Sequence, residues 1–342
     1  MTGREIVQAS LAFAGPERIA MTLPVPYPHD VVGAGIRRCR AVDEWRWDGT
    51  RWLQTDEWGN LWCRVREVGG GEVIHGAIED GWSLLDQYVW PDLDAAGRYD
   101  DAAAVFSANS DRYRLGSLPG FPFAIARYMR RMEVFLADIL LEPQQAMRLL
   151  QHVTDLLERC IHHYAEIGAD GVFFCEDWGT QDRLLVSPST WREVFRPGFR
   201  QLCDAARSRG LSVWMHSCGH IYEIIEDLVE VGVAVLQFDQ PELHGVDNLA
   251  RDFGGRVNFW CPVDIQRSLQ ARDAATIESA ARELVAKLGC YGGGFIAGYY
   301  GDNAGIGLDR QWQEIACRAF VRYGGAESRR GLQSPGLIAG TV

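Results

Sequence analysis

The sequence predicts an α/β protein, a distorted TIM (β/α)8 barrel with a β-rich N-terminal insertion over the mouth. From about residue 140 onward, helical stretches alternate with short apolar runs that end in polar residues, the punctuation of parallel βα units joined by right-handed crossovers. Side chains capable of chemistry recur at the C-terminal ends of several successive strands, which favours a closed barrel over an open sheet with one switch point. The length, 342 residues, suits a single barrel domain over residues 1–325, followed by a frayed tail over 326–342.

Arg18 to Val25 is the expected first strand. Residues 44–95 carry Trp45, Trp47, Trp52, Trp58, Trp62 and Trp82 among glycines and charges, which gives the β-rich insertion, and Tyr113 to Ser117 is expected as the second barrel strand. Leu140 to Ile167 keeps apolar residues at helical spacing until Gly168 to Gly171 breaks it, and Val172 to Cys175 follows as a buried strand. Ser187-Pro188 opens a helix to Arg209 as an N-cap followed by proline. Leu211 to Met215 is a strand, Ile221 to Glu230 a helix, Val233 to Phe238 a strand, and Gly245 to Phe253 a helix. Val257 to Trp260, Ala274 to Leu288, Gly294 to Gly298 and Leu308 to Tyr323 complete the alternation as strand, helix, strand and helix.

Hydrophobic residues make up 47% of the chain, enough for a sizeable core. Lys plus Arg number 34 against 46 Asp plus Glu, a net charge of −12. That balance argues against nucleic acid or an anionic membrane as the main partner and leaves a small molecule or a protein. Arg4 and Glu5 interrupt what a signal peptide would need as an apolar core, and no apolar run is long enough to span a bilayer, so a cytoplasmic location is expected. The nine cysteines form no CxxC pair, which predicts reduced thiols, with Cys39, Cys63, Cys160, Cys203, Cys290 and Cys317 dispensable.

His216-Ser217-Cys218-Gly219 is the sharpest local feature. Residues i and i+2 of a strand share a face, so an imidazole and a thiol stand side by side at the end where barrels keep their sites. They are two donors of a zinc site, although an HxC pair also serves plain core packing. At the end of the preceding strand, Glu176 and Asp177 point to opposite sides. One of them can act as catalytic base or ligand while the other anchors a loop. Trp260-Cys261-Pro262 brings another thiol to a strand end, as a third ligand or a core residue, and Asp239 and Gln240 end the strand between as candidates for contacting a cofactor, or as a turn.

Taken together, Glu176-Asp177-Trp178-Gly179-Thr180-Gln181, Leu184 to Pro188, Trp191 to Pro197, His216 to Ile221, Asp227-Leu228 and Gln240-Pro241-Glu242 resemble the uroporphyrinogen decarboxylase superfamily, and its methyltransferase-like branch in particular. Arg4-Glu5, Pro16 to Ile19 and Thr55 to Gly59 are similar to that branch too. The resemblance implies either porphyrinogen decarboxylation without a cofactor or zinc-dependent alkyl transfer among thiols and corrinoid proteins, and a homodimer is common among its members. Decarboxylases of the superfamily grip carboxylates with an arginine-rich N-terminal segment, where this chain reads Thr22-Leu23-Pro24-Val25-Pro26-Tyr27. In the methyltransferases the HxC matches His216 and Cys218, and a cysteine after the last strand completes the set.

Here that position reads Gly298-Tyr299-Tyr300-Gly301-Asp302-Asn303. Cys261, Glu176 or Asp177 therefore stands in as third ligand, with Cys261 ranked first because thiolate restores a His-Cys-Cys set, or the metal is absent. The leading expectation is a zinc-dependent methyl or alkyl transferase acting on a thiol, with a corrinoid or another small molecule as donor. The alternatives are a cofactor-free lyase acting on an aromatic or heterocyclic acid, and a non-catalytic protein that binds a corrinoid or tetrapyrrole.

Overall fold

The structure, a computed structural model, describes residues 1–38, 44–65 and 70–332. Its strands are β1 (Ala20–Met21), β2 (Val31–Gly35), β3 (Arg46–Trp47), β4 (Trp52–Thr55), β5 (Leu61–Arg64), β6 (Glu72–His75), β7 (Tyr113–Ser117), β8 (Gly171–Cys175), β9 (Ser212–His216), β10 (Val233–Gln237), β11 (Asn258–Cys261) and β12 (Phe295–Ala297). Eight of them form one parallel sheet in the order β1-β12-β11-β10-β9-β8-β7-β2, curled into the barrel that the sequence predicts. Edge strands β1 and β2 are not laddered to each other. The seam between them is crossed instead by the Thr22–His29 bridge and by Asp30 N–H donating to Met21 O at 2.8 Å. Arg18 pairs with the buried Asp30 carboxylate, which also accepts from Met21 N–H, and this locks the closure.

The second barrel strand in chain order is Val31–Gly35 and not Tyr113–Ser117, which is the third. Its sequence, Val-Val-Gly-Ala-Gly, carries little β signal of its own. Its pairing with β7, from Val31 against Tyr113 to Gly35 against Ser117, makes it a strand. Further along, the helix expected over Ser187 to Arg209 is present with Ser187 as its cap, but it contains a π-helical turn at Trp191–Phe195. Pro197, which has no N–H to donate, stands two residues after the end of that turn.

Two hydrophobic layers separate the faces of the barrel strands. Val31, Tyr113, Leu115, Trp214, Val235 and Ile296 pack inside the barrel with Phe173, Trp260 and the helix Gly3–Leu11 residues Ile6 and Val7. Val172, Phe174, Val213, Met215, Leu236, Phe238, Phe259 and Cys261 face the surrounding helices. The alternation follows the side-chain period of two, except in β10, where a register irregularity between Val233 and Val235 puts Val233 against the helices and Val235 inside the barrel. Burying each of these large side chains contributes about 1.5–3 kcal/mol.

The insertion is the antiparallel sheet β3-β4-β5-β6. Asp56 organises its centre by accepting from Trp58 N–H, Asn60 N–H, the Asn60 amide and the Trp62 indole. Ile78 N–H donates to Met129 O, Arg131 donates to Ile74 O, and Trp62 lies 4.8 Å from Tyr128, so the sheet sits on the helix Pro122–Met129. The C-terminal segment starts as a helix, Ala326–Leu332, where a frayed tail is expected. Buried Arg329 ties it down by donating to Pro16 O and Gly289 O. Among the described residues, no helix is long and apolar enough to cross a membrane. Cys63, Cys160, Cys203 and Cys317 carry free thiols, and Cys39 lies outside the described residues.

Candidate metal centre

The site grows from the ends of β8, β9 and β10. Cys175 lies in register with His216, and His216 with Gln237, so these three inward positions form one tier at the C-terminal mouth of the barrel. Beyond β8 the chain keeps alternating. Glu176 turns outward, Asp177 inward, and Trp178 outward into a fully buried aromatic cluster, stacked 4.2 Å from Phe123 and edge-on to Phe195 at 4.5 Å. The loops after β8 and β9 then meet glycine to glycine. A Cβ on Gly219 would fall 2.0 Å from Gly179 O, and one on Gly179 would fall 2.5 Å from His220 N. Gly219 also takes φ +78°, so a side chain there meets both a steric and a conformational barrier. This contact brings Asp177 beside Cys218.

The result is a cluster of Asp177, His216 and Cys218 whose donor atoms lie within 4.8 Å of one another. His216 Nε2 is 3.2 Å from Cys218 Sγ and 3.6 Å from Asp177 Oδ1, which also accepts the Cys218 N–H at 2.8 Å. The opposite ring nitrogen of His216, Nδ1–H, donates to Gln237 Oε1, and the Gln237 amide donates to Asp239 Oδ1 at 2.8 Å. That relay fixes the tautomer and presents the Nε2 lone pair to the cluster. Burial, with the nearby Asp177 and Asp239 charges, pushes the Cys218 thiol up to about 12, and the neighbouring Cys175 rises to about 12 for the same reasons. Without a cation, both thiols keep their protons at neutral pH.

A nitrogen, a sulfur and an oxygen converging at a partly exposed barrel mouth fit zinc, whose catalytic sites take three protein ligands and leave one position open. Gln237 has the place of the outer partner that orients a ligating histidine. Gln237→Leu is therefore expected to weaken zinc binding roughly 10–100-fold. Competition against a chromophoric chelator measures this, and an unchanged affinity would show that the relay does not orient the ring.

Two of the ligand candidates that the sequence offers do not reach this cluster, and both for reasons of strand parity. Glu176 is fully buried, and its carboxylate accepts from Phe123 N–H and Ala124 N–H, at the start of the helix Pro122–Met129, and from the Trp178 indole. Burial raises it to about 8, against those three donors and the Arg127 charge, which pull it down. It is a structural anchor, not a base at the mouth. Cys261 is buried in the helix-facing layer and burial raises its thiol, while its neighbour Trp260 faces inward in register with Gln237.

Asp239 faces the mouth, held by Gln237, and Gln240 lines a small recess beside Cys218 with Phe238 and His244. At the position of the family cysteine, Asp302 accepts from Gly305 N–H within its own turn, and Tyr300 is raised by burial and by the charges of Asp239 and Asp302. Gln237, Cys175, Tyr300 and Arg127 belong to the site without being expected there from the sequence. Gln237 does carry a local signal, since it precedes Asp239 by two positions on the same strand face.

Comparison with known proteins decides the family. The family model for uroporphyrinogen decarboxylase (URO-D) matches residues 99–299, more than half of the chain. The chain belongs to the uroporphyrinogen decarboxylase family. Of solved structures, a methyltransferase from Methanosarcina mazei shares its fold, with a TM-score of 0.58 at 15% identity over 75% of this chain and 73% of that one. An L-ribulose 3-epimerase follows at a TM-score of 0.44 and 12% identity, over 77% of this chain and 95% of that one. No curated protein matches the chain in sequence. Trp178, Gly179, His216, Cys218 and Gly219 all fall within the matched residues, whereas the insertion sheet lies outside them.

Proposed function

We propose that this family member is a zinc-dependent methyl or alkyl transferase that acts on a thiol. The observation that carries the reading is the convergence of Asp177, His216 and Cys218 at the barrel mouth, with His216 oriented by Gln237. Asp177, His216 and Cys218 would hold zinc there, and the bound cation would act as a Lewis acid that lowers the pKa of an acceptor thiol toward neutrality. The chain's own residues do the rest. Gln237 holds the imidazole in one tautomer, the Gly179–Gly219 contact fixes the spacing of Asp177 and Cys218, and the insertion sheet borders the mouth against water. The acceptor sulfur forms the new S–C bond, and the electron pair of the broken methyl bond leaves with the donor, for which the family resemblance suggests a corrinoid carried by a partner protein.

The decarboxylase alternative lacks its arginine grip, since the segment from Thr22 to Tyr27 carries no arginine and begins the turn that closes the barrel. Elemental analysis of the purified protein, together with thiol-dependent demethylation of methylcobalamin, tests the reading. About one zinc per chain and zinc-dependent formation of the methyl thioether are expected. A protein that retains no zinc after supplementation would overturn the proposal and return Asp177 to the role of a proton-handling group in a lyase.

A further inference from the structure

Beside the metal centre a cleft of about 480 Å³ runs between the insertion sheet and the helix Pro122–Met129, with Asp177 at one end. Trp62, Val73, Tyr128 and Met132 supply its apolar wall. Trp62 is held by Asp56 and packed on Tyr128, so this wall is set before any ligand arrives. Two arginines line the cleft, and they differ. Arg131 donates to Ile74 O and pairs with Glu133. Arg127 has a side chain only 12% exposed, a buried Nε with no hydrogen-bond partner among the described residues, a 3.3 Å contact with Tyr128 Oη, and a long 3.8 Å approach to Asp177. Its guanidinium carbon lies over the rings of Phe123 and Tyr128, 5.4 and 5.1 Å from their centroids.

A buried guanidinium short of acceptors is costly unless something supplies them, and its planar fork matches a carboxylate bidentately. Glu72 and Glu133 line the exposed part of the same cleft, so an anion finds its favourable point deeper, at Arg127. We propose that the cleft binds the acceptor substrate by a carboxylate, with Arg127 as the residue that recognises it, so that the acceptor is a thiol bearing a carboxylate on a short apolar stem. This rests on the thiol-transferase reading above. In that reading Asp177 gives its charge to the metal, which leaves Arg127 still less compensated. One wall of the cleft comes from β5 and β6, outside the residues that match the family, while Arg127 on the facing helix lies within them.

Calorimetric titration of the zinc-loaded protein with thioglycolate, β-mercaptopropionate and γ-mercaptobutyrate, each against the alkanethiol of equal length, tests the inference. At least one carboxylate thiol should bind roughly 10- to 100-fold tighter than its neutral counterpart, as charge-assisted bidentate hydrogen bonds imply. Arg127→Gln should abolish that preference, read as the ratio of carboxylate-thiol to alkanethiol affinity within the same protein preparation, and Arg127→Lys should restore part of it. A metal-independent readout is quenching of tryptophan fluorescence by the simple carboxylates propionate and butyrate, expected in the parent protein and absent in Arg127→Gln. Equal binding of charged and neutral thiols overturns the inference and leaves the transferase reading intact. Loss of zinc in Arg127→Gln also overturns it, because Arg127 would then act only by positioning Asp177. Absence of zinc and of all thiol binding in the parent protein is the failure of the transferase reading itself.

Discussion

Cys218→Ser and His216→Ala should each weaken zinc binding by more than about 100-fold, because loss of an outer-shell partner alone costs 10–100-fold and these residues supply the donor atoms themselves. Asp177→Asn should lose zinc less steeply, since an amide oxygen can still coordinate weakly. Cys261→Ser should leave zinc content unchanged, its sulfur lying in the helix-facing layer. Metal content after dialysis against a graded chelator series, with circular dichroism to confirm folding, reads all four. Zinc loss in Cys261→Ser would mean that β11 faces the barrel with the opposite parity. Full zinc retention in Cys218→Ser would remove the thiol from the centre and, with it, the similarity in donor set on which the transferase reading draws.

Glu176→Gln is expected to lower stability by about 1–3 kcal/mol, because the amide NH2 would face the Trp178 indole N–H, leaving two donors opposed in a dry site. It should also change the pH dependence. The folded value of about 8 lies above the 4.5 of an unperturbed glutamate. Below 4.5 both folded and unfolded chains hold the proton, so the contribution of this group to stability is fully present there. Between 4.5 and 8 the unfolded chain ionises first, and that contribution is lost as pH rises through the window. Urea denaturation at several pH values should therefore show the parent protein losing stability across this range and Glu176→Gln losing less. An identical slope in both would show that Glu176 is ionised throughout, held by its three donors. Zinc content should not follow the substitution, which separates this anchor from the metal centre.

The sequence carries most of the fold. Ala274 to Leu288 forms a helix with the same ends that its periodicity gives, and β8 to β12 fall within a residue or two of their apolar runs, because each is bounded by a cap, a glycine or a proline whose effect is local. The short β2 is not legible in the same way, because its Val-Val-Gly-Ala-Gly run acquires strand character only from pairing with β7. The spacing of His216 and Cys218 suffices to place two donors on one face at the C-terminal end of a strand.

Which face is the inner one is decided by tertiary structure alone. Glu176 and Asp177 must point to opposite sides, as must Trp260 and Cys261, but nothing local says which of each pair enters the barrel. In an open antiparallel sheet the polar residues would mark the wet face. In a parallel barrel both faces are buried, one by the barrel interior and the other by the helices, so strands such as Val-Phe-Phe-Cys and Asn-Phe-Trp-Cys are apolar on both sides and their parity is invisible. The register that sets Trp260 against Gln237, Gln237 against His216 and His216 against Cys175 resolves it. It sends Cys261 and Glu176 outward, and it leaves Asp177 as the donor that meets His216 and Cys218.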